Sequence, residues 1–327
     1  MKKLIHRVIN NLFVVLIVLT MVFATARAQK EKIPVAAETP QAAAQKLSAE
    51  MTTVINKLSC VSFEWLPWKG FSEKGGIRVP IKYGGKNHWF QLDTGADATI
   101  IYGQPDKSLD WKETQGQKWA RLTDVEFAGM KFPVAQFYSM PAMPSDPKYI
   151  EGIIGLDLLM GNVAVLDFPG KRLCLVPHAD APPEFLTQSQ SAKALIRDGK
   201  FFIVNAKVNG QKVDGLFYDT GASAHALGVD FEDWKAMTGN SGEEPSNIKV
   251  AGYAWGKPMN FIGAETKGEF EIGSIKLGKQ FAFYRSEPLD FFKKFPIPAT
   301  GTIGNVPFLD KVIVLDLGIH PALRVLE

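Results

Sequence analysis

Two copies of the tripeptide Asp-Thr-Gly, one in each half of the chain, constrain its fold more than any other feature. The first copy, at residues 93–95, follows an apolar run at 90–92, and the second, at 219–221, follows an apolar run at 216–218. Asp-Thr-Gly alone is weak evidence, because Asp and Gly are common in turns. An Asp in so apolar a segment is costly to bury unless its charge is hydrogen-bonded or shared. Two such carboxylates in matching settings predict a dyad that shares a proton.

The two motifs belong to an internal repeat. Asp219 lies 126 residues after Asp93, and at the same offset the turn residues of the two halves also coincide. A second pair of blocks, 152–176 and 301–325, aligns without a gap at an offset of 149 residues. Self-similarity of this kind indicates a duplicated structural unit. Because the offset grows, the second half carries 23 extra residues between its two motifs.

The fold class and the domain boundaries follow from the same pattern. From Cys60 onward, short apolar runs are interrupted by Gly, Pro, Asn and Asp, which predicts an all-β fold. The first repeat spans 60–177 and the second spans 200–327. Between them, residues 178–199 begin with a Pro-containing stretch and continue polar, which is typical of a linker.

The N-terminal residues 1–28 are predicted to be a secretory signal peptide. A basic start precedes the apolar stretch 12–24, and Ala26-Arg27-Ala28 places small residues at the cleavage positions. The alternative is an uncleaved membrane anchor. Without residues 1–28 the chain has 33 basic and 34 acidic residues, so nothing in its charge favours nucleic acid or an anionic membrane. We expect an exported protein, periplasmic or secreted, that has no membrane contact after cleavage.

Residues 29–59 are predicted to form a solvated spacer followed by a short packing helix. Apolar positions recur at helical spacing between Pro40 and Leu58, and Thr39 is a suitable N-cap.

The two cysteines, Cys60 and Cys174, both lie in the exported part of the chain. An oxidising compartment allows a disulfide between them. The alternative is two buried free thiols, since Cys174 lies in an apolar strand. The sequence leaves both interpretations open.

The motifs together resemble those of the aspartic proteases of the pepsin and retropepsin clan. Asp-Thr-Gly-Ala at 93–96 is followed in the same repeat by Ile-Ile-Gly at 153–155, as in the retroviral-type branch. Two fused copies resemble the bilobal pepsin-like arrangement, and exported bacterial retropepsin-like proteins in particular. Over residues 60–327 the resemblance implies two β-barrel-like lobes with a cleft between them. It also implies an endopeptidase that acts on peptide or protein substrates as a monomer, because one chain supplies both motifs.

Asp93 and Asp219 are the candidate catalytic residues. Two carboxylates a few ångströms apart cannot both ionise readily, so one keeps a proton and serves as the acid while the other serves as the base. This chemistry needs no metal and no cofactor. The resemblance implies that Thr and Gly of each motif support the dyad, the Thr residues by cross-linking the two loops and the Gly residues by permitting a tight backbone path. These supporting residues are Thr94, Gly95, Thr220 and Gly221.

The chain departs from the retroviral pattern at one pair of positions. In those enzymes a basic residue often follows Ile-Ile-Gly and pairs with the acid after Asp-Thr-Gly-Ala. Here Leu156 and Asn305 occupy those places, so Asp97 lacks the expected partner, and Ser223 replaces the acid in the second repeat.

A flap that covers the substrate is expected between the two motifs of a repeat. In the second repeat, Tyr253 and Trp255 are flanked by Gly252 and Gly256 and suit a mobile hairpin tip. The alternative is a loop whose aromatic rings pack onto the lobe. In the first repeat the corresponding candidate is the short polar segment 115–117.

Other chemistries have little support in the sequence. The five histidines show no metal-binding spacing, and the pair Ser223 and His225 has no accompanying nucleophile elbow. A rival function of another class is a peptide-binding module of the same fold that has lost turnover. A third is a protease that acts only on itself or on one dedicated partner.

Overall fold

The computed structural model describes residues 47–103, 109–140, 150–254, 257–295 and 298–327, without the side chains of residues 253, 254 and 257. These residues are mostly β-strand, with few and short helices, so the expected all-β class is confirmed. The predicted signal peptide, the spacer up to residue 46 and the candidate N-cap Thr39 lie outside the described residues. Within the described ranges, no helix is long and apolar enough to cross a bilayer.

The strands of the first repeat are β1 Cys60–Ser62, β2 Glu64–Trp68, β3 Ser72–Tyr83, β4 Lys86–Leu92, β5 Ile100–Tyr102, β6 Lys112–Thr114, β7 Gln117–Phe127, β8 Met130–Met140, β9 Gly152–Ile154, β10 Asn162–Asp167 and β11 Arg172–Pro177. The strands that follow are β12 Ser189–Arg197, β13 Lys200–Ile203, β14 Ala206–Val208, β15 Gln211–Val213, β16 Leu216–Tyr218, β17 Leu227–Val229, β18 Ile248–Ala254, β19 Lys257–Glu265, β20 Phe270–Ile272, β21 Ile275–Lys276, β22 Phe281–Arg285, β23 Gly301–Ile303, β24 Val312–Asp316 and β25 Ala322–Leu326.

The helices are short and lie between the strands. The α-helices are α1 Ala49–Asn56, α2 Leu156–Leu159, α3 Glu184–Thr187 and α4 Phe231–Thr238. The 3₁₀ turns are His178–Asp180, Thr220–Ala222, Phe292–Lys294 and Val306–Phe308.

Both repeats build the same local sheet around their motifs. In the first, β4 pairs in parallel with β9, which places Leu92 beside Ile154. In the second, β16 pairs in parallel with β23, which places Tyr218 beside Ile303. These partners are related by the same two offsets, 126 and 149 residues, that relate the sequence blocks. The duplicated sequence therefore folds into a duplicated strand arrangement.

The repeats join through a shared sheet. β10 of the first repeat pairs antiparallel with β24 of the second, and Val165 lies directly opposite Val314. These two residues occupy equivalent positions in the repeats, so the junction has approximate two-fold symmetry. Both strands are apolar, β-branched at several positions and almost fully buried, which suits a sheet interior.

The two predicted hairpin turns occur at equivalent places. Gly84 and Gly85 join β3 to β4, and Asn209 and Gly210 join β14 to β15, each with positive φ at both residues. A two-residue turn with positive φ at both positions is the type I′ geometry that Gly-Gly and Asn-Gly favour.

The segment 178–199, predicted as a linker, contains strand β12 in its second half. Strand β12 pairs with β25 on one side and with β13 on the other. Its buried positions, Ala192 and Ala194, alternate with the exposed Lys193 and Leu195. The alternation indicates a strand, but the small alanines gave it too little hydrophobic contrast for the segment to be distinguished from a polar linker.

Helix α1 is shorter than the predicted helical segment and begins inside it. Ser48 is the N-cap, and its hydroxyl accepts a hydrogen bond from Met51 N–H at 3.0 Å. Met51 and Ile55 are fully buried against the shared sheet, in a cluster with Val165 and Val314. The helix thus packs beneath the junction of the two repeats.

Cys60 and Cys174 are joined by a disulfide. They lie opposite each other where β1 pairs with β11, at one end of the shared sheet. The bridge connects the segment after α1 to the last strand of the first repeat.

Candidate active site

The two Asp-Thr-Gly loops begin where β4 and β16 end, and the same hydrogen bonds hold them. Asp93 N–H donates to Ile154 C=O, and Asp219 N–H donates to Ile303 C=O, both at 2.9 Å. Each loop then turns tightly, because the N–H three residues after the aspartate donates back to the aspartate C=O, at 3.0 Å in the first repeat and 3.1 Å in the second.

Thr94 and Thr220 connect the loops reciprocally. Thr94 N–H donates to Thr220 Oγ1 at 2.9 Å, and Thr220 N–H donates to Thr94 Oγ1 at 3.0 Å. Each hydroxyl also donates across the junction, from Thr94 to Tyr218 C=O at 3.0 Å and from Thr220 to Leu92 C=O at 2.9 Å. All four bonds are buried, so they fix the spacing of the two aspartates.

Glycines make the close approach of the loops possible. A Cβ atom on Gly95 would lie 2.5 Å from the carboxyl carbon of Asp219, so a larger residue would push the two motifs apart. Beneath the loops, a Cβ atom on Gly155 would lie 2.5 Å from the Ala98 backbone, and one on Gly304 would lie 2.2 Å from Ala222 C=O. The glycine of each Ile-Gly pair therefore allows the close backbone contact that the sequence predicts.

The two carboxyl groups make equivalent local hydrogen bonds but differ in exposure to solvent. Asp93 Oδ1 accepts from Gly95 N–H at 3.0 Å, and Asp219 Oδ1 accepts from Gly221 N–H at 2.8 Å. Asp93 is fully buried, whereas Asp219 is partly exposed. Asp93 Oδ2 is buried and has no donor in the described part of the chain. The Asp219 carboxyl lies within hydrogen-bond reach of Asp93.

The environment raises the pKa of both carboxyl groups. For Asp93, burial raises the pKa well above its ordinary value, and the charge of Asp219 and the hydrogen bond between the two carboxyls add to the effect. For Asp219, desolvation also raises the pKa, while the hydrogen bond with Asp93 opposes the rise. The two carboxyl groups therefore titrate as a coupled pair, which can hold one proton and one negative charge between them. One acid and one base stand side by side.

A buried network supports the second loop. Tyr218 hydroxyl donates to Asn305 Oδ1 at 2.6 Å, Asn305 Nδ2 donates to Ser223 Oγ, and Ser223 hydroxyl donates to Thr220 C=O at 2.9 Å. Asn305 and Ser223 are the two second-repeat residues that depart from the retroviral pattern. Their neutral side chains are partners of each other, so this buried site is satisfied without a charge.

The first loop is held differently. Asp157, one residue after Leu156, accepts hydrogen bonds from Thr99 N–H at 3.0 Å and Thr99 hydroxyl at 2.7 Å. Thr99 Oγ1 in turn accepts from Gly155 N–H at 3.2 Å. The departure at Leu156 therefore leaves the loop anchored through Thr99.

Lys200, which the sequence analysis did not identify, also belongs to the site. Its side chain is buried with only 3% exposure at the start of β13, within the electrostatic reach of Asp97, Asp93 and Asp219. Burial lowers the pKa of Lys200, and the neighbouring carboxylates oppose that change. The sequence does contain a signal for this residue, because a lysine begins the otherwise apolar run 200–203.

The described part of each flap candidate lies on a hairpin. Tyr253 lies in β18, which pairs with β19 as an antiparallel hairpin. The Tyr253 side chain and all of Trp255 lie outside the described residues. In the first repeat, Gln115 and Gly116 form the two-residue turn between β6 and β7, both with positive φ.

An aromatic cluster ties the first repeat to the second-repeat hairpin. Trp68 Nε1 donates to Ala251 C=O at 3.1 Å, and the Trp68 ring packs against Gly252 of β18. Trp68 also contacts His225 and Phe261 edge-on, with ring centroids 5.2 and 5.4 Å apart. His225 is 2% exposed, and burial, with a smaller contribution from Arg285, lowers its pKa to about 3.

The structure thus brings all six predicted dyad and support residues together in one buried junction. The disulfide-bonded pair lies in the shared sheet and contributes no group to this junction. Among the described residues, no cluster of three or more His, Cys, Asp or Glu side chains is arranged to hold a metal ion. Comparisons with protein-family models and with curated proteins find no match for this chain.

Proposed function

We propose that this protein is an aspartic-type endopeptidase with the bilobal aspartic-protease fold. In this proposal residues 60–177 and 200–327 form two β-barrel-like lobes, and each supplies one carboxylate to a cleft between them. The observation that carries the proposal is the pairing of Asp93 with Asp219. They come from equivalent positions of a duplicated unit, lie within hydrogen-bond reach and have raised pKa values.

The asymmetry of the dyad supports a division of labour. Asp219, which is the more exposed of the two carboxyl groups, takes a proton from a water molecule as that water attacks the carbonyl carbon of the peptide bond. Asp93 gives its proton to the carbonyl oxygen, which produces a tetrahedral intermediate with two hydroxyl groups. When the intermediate collapses, the proton on Asp219 passes to the amide nitrogen, the C–N bond breaks, and Asp93 recovers a proton from a hydroxyl group. The dyad then carries one proton again.

Export of the protein is part of the proposal. The signal-like residues 1–28 and the disulfide between Cys60 and Cys174 both favour an oxidising compartment, the periplasm or the outside of the cell. Peptides or proteins present there are the proposed substrates.

The test is cleavage of a peptide library by the purified protein at several pH values, with and without a statine-type inhibitor. We expect cleavage in mildly acidic solution that the inhibitor blocks and that a metal chelator leaves unchanged. Peptide binding without cleavage would favour the rival peptide-binding module. If the protein neither binds nor cleaves any library peptide at any pH, that result contradicts both functions.

A further inference from the structure

The candidate active site contains a third carboxyl group, Asp97, beside the two of the dyad. Asp97 follows the first motif by two residues and is partly buried. With one proton on the dyad, the pair and Asp97 together carry two negative charges within one largely dehydrated region. Buried charges of one sign are costly unless an opposite charge lies near them.

Lys200 is a buried cation within electrostatic reach of all three of these carboxyl groups. Gly199, with φ of +70°, lies against Asp97, and a Cβ atom there would be 2.3 Å from Asp97 Cβ. This contact positions the next residue, Lys200, beside the first loop, while β13 itself belongs to the second repeat. Gly95, two residues before Asp97, lies in turn against the Asp219 carboxyl. The backbone beside Lys200 therefore lies against Asp97, and the loop that carries Asp97 lies against the Asp219 carboxyl.

We propose that Lys200 is a positioning residue that supplies the counter-charge for Asp97 and the dyad, so that the dyad keeps its single negative charge in mildly acidic solution. This inference rests on the proposed dyad function. The other charged groups around Lys200 and Asp97 are Asp198, which is exposed in the turn before β13, and Asp157, which is bonded to Thr99 and whose pKa burial raises. On the second-repeat side, Arg285 interacts with Asp219 and Asp230.

Two substitutions should move the dyad in opposite directions. Lys200→Met removes the positive charge and should raise the pH at which the dyad titrates, by on the order of one pH unit. Asp97→Asn removes a negative charge and keeps the positive charge of Lys200, so it should lower the pH at which the dyad titrates. Lys200→Arg keeps the positive charge, so the dyad should titrate at a pH close to the wild-type value. The double variant should lie between the single variants.

The measurement is the pH dependence of the carboxyl signals in protein labelled with carbon-13 at the aspartate carboxyl carbons. The dyad signals are assigned by their loss in Asp93→Asn and Asp219→Asn. This readout needs no catalysis, so a protein without peptidase activity can still confirm or contradict the inference. The pH–rate profile of peptide cleavage should shift in parallel if the protein is a peptidase.

Unchanged dyad titration in folded Lys200→Met would overturn the inference, because a purely structural lysine would not affect it. If Lys200→Met does not fold, Lys200→Gln takes its place: an upward shift of the dyad titration relative to Lys200→Arg supports the inference, and no shift or a downward shift contradicts it.

Discussion

Thr94 and Thr220 exchange hydrogen bonds across the junction of the two repeats, and each hydroxyl accepts from the other residue's backbone N–H. The exchange is reciprocal because the two residues hold equivalent places in a duplicated unit. Four buried bonds centred on two hydroxyl groups connect β4 and β16, the two strands that lead into the aspartates. The geometry of the dyad therefore depends on these threonines.

Replacing Thr94 by Val should lower the free energy of unfolding by about 2–4 kcal/mol. The change keeps the shape of the side chain but leaves Tyr218 C=O and Thr220 N–H buried without their partner. Urea unfolding at pH 7 measures the effect. Thr94→Ser should restore most of the stability, and Thr52→Val, at an exposed helix position, should change it by less than about 0.5 kcal/mol. Equal effects at positions 94 and 52 would show that the loop hydroxyl does not hold the junction.

Asp93→Asn and Asp219→Asn should each abolish peptide hydrolysis, because one carboxyl group cannot carry out both proton transfers. Cleavage rates measured with the best library peptide test this. The exposed variant Asp124→Asn is the matched control and should retain full activity. More than a small residual rate in either dyad variant would remove the dyad from the mechanism.

Asp93→Asn should also be more stable than the wild type at neutral pH. A carboxyl group whose pKa is raised by folding makes the folded state bind its proton more tightly than the unfolded state does. Its contribution to stability is present below the unfolded pKa and is lost as the pH rises through the folded pKa. The asparagine side chain in the variant does not titrate, so the variant does not lose this stability. The difference in the free energy of unfolding between variant and wild type should therefore be smaller in acid than at neutral pH when both are measured by urea unfolding.

Activity should be greatest at about pH 4–6, and Ala96→Ser combined with Ala222→Ser should shift the optimum towards acid by roughly one unit. Both positions follow Asp-Thr-Gly directly, and a hydroxyl there can donate to the charged carboxylate and stabilise it. Asp93 Oδ2 has no such donor in the described part of the wild-type protein. Both limbs of the pH–rate curve should move together, because the two carboxyl groups titrate as a pair. A wild-type optimum below about pH 3, or an unshifted double variant, would mean that other groups set these pKa values.

His225 should reduce stability as the pH falls. Its folded pKa of about 3 is below its ordinary value of 6.5, so the unfolded state binds the proton more readily between these values. Stability from this residue is present above pH 6.5 and decreases below it, by up to about 3 kcal/mol at pH 4. His225→Phe should therefore lose less stability than the wild type between pH 7 and pH 4 in urea unfolding. The exposed His320→Gln should behave like the wild type, and identical losses in all three proteins would contradict the assignment.

Specific activity should stay constant when the protein is diluted, because one chain supplies both aspartates. A dilution series with a fluorogenic peptide, paired with sedimentation at the same concentrations, measures this. A fall in specific activity that accompanies dissociation would show that a second chain completes the site.

The features that the sequence by itself determined are those encoded in local patterns and their repetition. The paired motifs identified Asp93 and Asp219, and turn chemistry identified the hairpins at Gly84-Gly85 and Asn209-Gly210. The two hairpin turns are found where the sequence predicts them, because a type I′ turn depends on neighbours a few residues away. Duplication then makes each local pattern visible twice.

Only the tertiary structure decided which distant residues become neighbours. Ser223 and Asn305 are 82 residues apart and form one buried pair, and Gly199, next to Lys200, lies against Asp97 of the first loop. The strand at Ser189–Arg197, hidden by its small alanines, is stabilised by β25 at the far end of the chain. The physical reason is that the free-energy cost of a buried polar group or an unpaired strand edge depends on the partner that folding brings to it. A single sequence does not show which distant residue that partner will be.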